Sequence, residues 1–122
     1  MRTATLVVVA LSLLAVSAPP AEAAVLRIVT VETADVASYL KEVERGNTLL
    51  KKGGSPAVMR VWRGQFAGED AGKLVVHLEY PDLAALARDN EKFSKDPEMQ
   101  AWLKTVERLR RVLSDSVYQE LR

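Results

Sequence analysis

The chain has 122 residues, 48% of them hydrophobic and 27% charged, with 17 basic against 16 acidic side chains, one histidine and no cysteine. That is room for one ordinary globular domain, and the balance excludes disordered, collagen-like and polybasic nucleic-acid-binding chains. The absence of cysteine excludes disulfides, thiolate zinc sites and cysteine nucleophiles.

Arg2 precedes an apolar run from Leu6 to Val16 broken only by Ser12, after which come Pro19, Pro20 and the small-residue triplet Ala21-Glu22-Ala23. This is the basic, apolar and small-residue order of a secretory signal. A membrane anchor is the competing reading, but a spanning helix needs about 20 apolar residues, and the proline pair stops the run short. The expectation is a signal peptide over residues 1–23 and one domain over residues 24–122, exported to the periplasm or secreted, with no stable membrane anchor after cleavage. With no cysteine to staple it, such a domain must hold together by packing.

Val25 to Val31 is rich in β-branched residues and reads as a first strand. Thr33 can cap a helix in which Val36, Leu40, Val43, Asn47 and Leu50 recur at helical spacing, and Gly53-Gly54 supplies its stop. Gly46 inside that pattern either permits a close packing contact or marks a bend. Ala57 to Phe66 and Lys73 to Tyr80 read as a hairpin around the Gly68–Gly72 turn. Asp82 opens a helix marked by Leu83, Leu86, Asn90 and Phe93, which breaks at Ser94-Lys95. Asp96-Pro97 starts another, whose apolar stripe runs Met99, Trp102, Leu103, Val106, Leu109 and Leu113. Ser114-Asp115 turns the chain into a last strand, Ser116 to Leu121. The order predicts an α+β fold of the ferredoxin-like split βαβ plan (β-α-β-β-α-β), a four-stranded antiparallel sheet with helices on one face.

Helices can cover only one face of such a sheet, so alternate strand residues face elsewhere. On the third strand Leu74, Val76, Leu78 and Tyr80 suit the helices, leaving Lys73, Val75, His77 and Glu79. On the second, Met59 and Val61 suit them, leaving Val58, Arg60 and Trp62, with Arg63 fitting this division worst. On the first, Leu26 and Ile28 are assigned to the core, leaving Arg27, Val29 and Val31. The far face then collects Arg27, Val29, Arg60, Trp62, Val75, His77 and Glu79. It is too apolar for water and too polar for a plain core, so it should close against a partner.

The segment Gly72-Lys-Leu-Val-Val-His-Leu-Glu-Tyr-Pro-Asp-Leu-Ala-Ala-Leu-Ala, with Asp96-Pro-Glu-Met-Gln after it, resembles the dimeric α/β-barrel superfamily, in particular its NIPSNAP-like and antibiotic-biosynthesis-monooxygenase-like members. The resemblance covers residues 25 to 121 in element order, and its quotable motif spans about residues 72 to 103. It implies a homodimer whose two sheets enclose a barrel, with a pocket between sheet and helices or within the barrel. Members include cofactor-independent oxygenases, haem-degrading enzymes, lactone isomerases and haem peroxidases, so the resemblance speaks to fold more than to activity.

His77 is the sharpest candidate, because an imidazole can act as general base, hydrogen-bond donor or axial ligand near neutral pH. A satisfied interface histidine paired with Glu79 is the plainer reading. Glu79 could orient His77, and Arg60 and Arg27 could receive an anionic group through paired guanidinium donors or simply pair with Glu79. Trp62 offers a flat wall for an aromatic ligand or fills an interface, and Val75 lies beside it. Tyr39 and Tyr118 are further hydroxyl donors that no spacing singles out, while Phe93 and Trp102 read as packing. With one histidine, a two-histidine metal site within one protomer is impossible, and no metal or cofactor is expected. No phosphate-cradling glycine loop, Gly-x-Ser-x-Gly elbow or His-Glu-x-x-His occurs. The basic run Glu107-Arg-Leu-Arg-Arg111 reads as a solvated helix face rather than a nucleic-acid contact. The expectation is an exported homodimer binding a small apolar or anionic molecule. The alternative is a cofactor-independent monooxygenase or isomerase in which His77 removes a proton and Arg60 steadies the oxyanion. A narrower alternative is haem bound through His77.

Overall fold

The computed structural model describes residues 23–66 and 68–121, and the signal-peptide reading of residues 1–23 lies, but for Ala23, outside them. Among the described residues, four strands and three α-helices follow one another as β1 (Val25–Glu32), α1 (Val36–Lys52), β2 (Arg60–Arg63), β3 (Leu74–Tyr80), α2 (Leu83–Ser94), α3 (Pro97–Glu107) and β4 (Arg111–Gln119). The strands form one sheet in the order β2-β3-β1-β4, every neighbouring pair antiparallel. This is the expected split βαβ plan.

Local chemistry sets the helix ends. Asp35 caps α1 by accepting from the Ser38 amide at 3.0 Å, Asp82 caps α2 through the Ala85 amide at 2.8 Å, and Asp96 caps α3 through the amides of Glu98 and Met99. Each carboxylate satisfies donors that no intrahelical carbonyl can reach. The expected cap of α1, Thr33, stands two residues early; its hydroxyl accepts from the Asp35 amide and donates to the Leu109 carbonyl at 2.6 Å. Gly54, at φ 80°, takes the left-handed turn that ends α1 and sets up Ser55.

The core lies between the sheet and the helices, where Val25, Val31, Val76, Tyr39 and Val106 are the most deeply buried side chains. Each fully buried aliphatic side chain contributes roughly 1.5–3 kcal/mol by leaving water. Gly46 is a packing residue: a Cβ there would meet the Trp102 ring at 2.4 Å and Met59 Cε at 2.5 Å. Of the two readings open for this glycine, close approach is the one realised.

Three expectations are corrected. The facing of β1 is inverted: Val25, Val29 and Val31 are buried against the helices, so Arg27, Val29 and Val31 do not belong to the far face, and Leu26 and Ile28 do. Both alternate sets of β1 mix apolar residues with polar ones, Arg27 in one and Thr30 and Glu32 in the other, so alternation alone could not choose between them. The third helix stops at Glu107 instead of running to Leu113, and Ser114-Asp115 lies within a strand rather than a turn. Pairing of β4 along the whole of β1 outweighs a helical stripe that continues through Leu109 and Leu113. The register shifts between Thr30 and Val31, leaving Leu113 as an extra residue. Strand β2 is shorter than Ala57–Phe66.

Candidate functional site

The helix-facing side of the sheet does not pack shut. Between Val29, Val76 and Leu78 on the strands and Leu50, Phe93 and Trp102 on the helices lies a cavity of about 390 Å³. That is the size of a small-ligand pocket, and its wall is mainly apolar. Trp102 forms one side, fixed where Gly46 lets it approach α1 and where its indole Nε1 donates to the Glu42 carbonyl at 2.8 Å. Met59 is held beside it by Asn47, whose side chain both donates to the Met59 carbonyl at 3.0 Å and accepts from the Met59 amide at 2.7 Å.

Polar groups enter this pocket at defined places. Asp89, on the inner face of α2, is buried and accepts a short hydrogen bond from Ser55 Oγ. Tyr80 lies near Asp89, and burial together with that negative neighbour pushes the pKa of its hydroxyl up to about 12, so it stays neutral through the physiological range. Arg27 reaches Asp115 in a two-pronged pair, Nε to one carboxylate oxygen at 3.0 Å and Nη2 to the other at 2.6 Å. That contact raises the Arg27 pKa and holds the Asp115 carboxyl below its ordinary value. Arg110 also lines the pocket; its Nη1 donates to the Tyr39 hydroxyl at 3.3 Å, while its buried Nε has no partner.

On the opposite face β2 and β3 bring Arg60 beside His77 and Trp62 beside Val75, with Glu79 next along β3. The Arg60 guanidinium stacks 5.2 Å from the Trp62 ring centre, and the rings of Trp62 and His77 are 6.4 Å apart at 51°. A hollow of about 230 Å³ is bounded by Pro56, Val58, Arg60, His77 and Glu79. The His77 Nε2 atom is buried without a hydrogen-bond partner, and Trp62, Val58 and Tyr118 are more than half exposed. Five of the six expected site residues, Arg60, Trp62, Val75, His77 and Glu79, therefore share one face. Arg27 is separated from them by the sheet and belongs to the helix-side pocket.

Sequence reasoning missed Tyr80, Asp89, Ser55 and Arg110. Asp89 left a signal, since it stands between Leu86 and Phe93 on the buried side of α2 where a carboxylate needs a reason to be. Arg110 left none, because the basic run around it read as a solvated face. Among the described residues no group of three or more His, Asp or Glu side chains is placed to hold a metal ion, and no helix is long and apolar enough to cross a membrane.

No family model matches the chain, and no curated protein matches it in sequence. Solved structures do match in shape. A NIPSNAP family protein from Agrobacterium tumefaciens superposes with a TM-score of 0.58 at 14% identity, over 80% of this chain and 91% of that one. An uncharacterized NIPSNAP domain protein from Burkholderia xenovorans gives 0.58 at 16% identity, over 82% and 93%. SnoaB, a cofactor-independent oxygenase from Streptomyces nogalater, gives 0.57 at 14% identity, over 84% and 96%. The fold is NIPSNAP-like and ferredoxin-like. The resemblance read from residues 72 to 103 is borne out at that level, and a shared fold at such identities leaves activity to be argued from the site.

Proposed function

We propose that the chain binds a small, mainly apolar molecule in the pocket between the sheet and the helices. The observation that carries this is the 390 Å³ cavity itself, whose apolar wall is interrupted by Arg27, Arg110, Tyr80 and Asp89. A domain this small gains from filling its interior, and an open space with ordered polar groups at its rim is the arrangement that ligand sites share. The expected barrel interior between two sheets is replaced in this reading by the helix-side pocket of each protomer.

The far face is read as a homodimer contact. Its support is self-complementarity: the Arg60 guanidinium stacks on Trp62 and is in no ion pair among the described residues, Glu79 is exposed, and His77 Nε2 lacks a partner, so a two-fold axis can set Arg60 of one copy against Glu79 of the other. Export follows from the reading of residues 1–23, and the amino-terminal sequence of the protein from its own host tests it. Native mass spectrometry of gently purified protein tests the rest. A dimer carrying a small molecule is expected; a bare chain that takes up no small molecule would end the binding reading.

A second reading is favoured by the buried His77 Nε2, which has no hydrogen-bond partner. In it the chain is a cofactor-independent oxygenase or isomerase, as SnoaB is a cofactor-independent oxygenase. His77 faces away from the helix-side pocket, so this reading requires substrate in the hollow by Arg60 and Glu79, under a second copy. Loss of turnover in His77→Ala with the dimer intact distinguishes it from a packing role.

A further inference from the structure

At one side of the helix-side pocket two guanidinium groups share a single acid. Asp115 gives both its oxygens to Arg27, at 3.0 and 2.6 Å. Arg110 is left with one long bond to a neutral hydroxyl, the 3.3 Å contact with Tyr39, and a buried Nε that has no acceptor at all. A guanidinium that lines the pocket and bonds only to a tyrosine hydroxyl has no carboxylate of its own, so the site favours an occupant that brings an acceptor to its terminal N–H groups. The remaining acid of the pocket does not meet that need, because Asp89 is engaged by Ser55 and Tyr80. The Arg27–Asp115 pair also displays the geometry in question: a carboxylate seated in a guanidinium fork next to this cavity.

Resting on the pocket-binding reading above, we propose that the ligand is a carboxylic acid with an apolar body of one or two rings, its carboxylate received by Arg110 and Arg27 and its body held against Trp102 and Phe93. The apolar wall sets the body, and the excess of guanidinium donors sets the head group.

Titration with 2-naphthoate and with 2-naphthalenemethanol tests this, since the two share a ring system and differ in charge. The indole N–H signal of Trp102, read by nuclear magnetic resonance, reports the pocket. The expected result is that both compounds shift that signal, with naphthoate bound at least tenfold more tightly. In Arg110→Met the two affinities converge while that of the alcohol stays within twofold of wild type. Arg110→Lys, which keeps the charge and loses the fork, should retain only part of the preference and covers the case in which the methionine variant does not fold. Equal affinity for both compounds in the wild type, with Trp102 shifted by each, would overturn the carboxylate assignment and leave the pocket standing. Failure of both to shift Trp102 would remove the pocket reading and this inference together.

Discussion

Replacing Gly46 by alanine isolates the packing that shapes the pocket. In an unobstructed helix interior this exchange stabilises by about 1 kcal/mol, because glycine spends more backbone entropy on folding. Here the new methyl would lie 2.4 Å from Trp102 Cζ2, 2.8 Å from Trp102 Cε2 and 2.5 Å from Met59 Cε. Ordinary contact requires the indole to retreat by about 1 Å, toward the cavity, and its hydrogen bond to the Glu42 carbonyl opposes that retreat. Overpacking of this kind costs roughly 1–3 kcal/mol, and a weakened hydrogen bond adds about 0.5–1.5 kcal/mol. Set against the helix gain of about 1 kcal/mol, the net is a destabilisation of about 0.5–3.5 kcal/mol; at its midpoint of about 2 kcal/mol the melting temperature falls by roughly 8–16 °C for a domain of this size. Thermal unfolding followed by far-ultraviolet circular dichroism measures it, and the same variant should bind naphthalene probes more weakly because Trp102 now intrudes on the space. An unchanged or raised melting temperature would refute the packing role of this glycine.

Tyr80→Phe should remove one phenol ionising at about 12 from the ultraviolet titration and, by leaving Asp89 with Ser55 alone, cost about 1 kcal/mol of stability. Because the Tyr80 pKa is raised on folding, its contribution is complete below about 10 and is lost as pH rises toward about 12, so the wild type should lose more stability than Tyr80→Phe over that interval. Asp115 is shifted the other way: its contribution is present above its ordinary carboxyl range and is lost as pH falls through the lowered value. Asp115→Asn should flatten that acid limb, by only about 0.2–1 kcal/mol because the pair with Arg27 is well solvated. Trp62→Glu should convert the proposed dimer to monomer in sedimentation without lowering monomer stability, since Trp62 is 51% exposed in the single chain. A dimer that survives this change would contradict the far-face interface.

Legibility of these features in the sequence follows the strength of the local pattern. Strand β3 was readable because one alternate set, Leu74, Val76, Leu78 and Tyr80, is wholly apolar or aromatic while the other holds His77 and Glu79, and the structure buries the first set. Strand β1 offered no such contrast, and its mid-strand arginine, Arg27, sits on the helix side because Asp115 and an open cavity accommodate it. Asp82 and Asp96 announced their helices because capping is local chemistry. The end of α3 was hidden, since what ends it is pairing with a strand about eighty residues earlier in the chain. The same long range concealed the pocket: Tyr80, Asp89 and Arg110 come from three separate segments, Ser55 reaches Asp89 from a fourth, and only the packed fold brings them together.

The most direct test of the pocket is crystallographic. Protein soaked with 6-bromo-2-naphthalenemethanol, a neutral probe whose bromine marks its position by anomalous scattering, should show the peak between Trp102, Phe93 and Leu78 on the helix side of the sheet. A peak confined to the far face beside Trp62 and His77, with the helix-side space empty, would contradict the assignment of the ligand site.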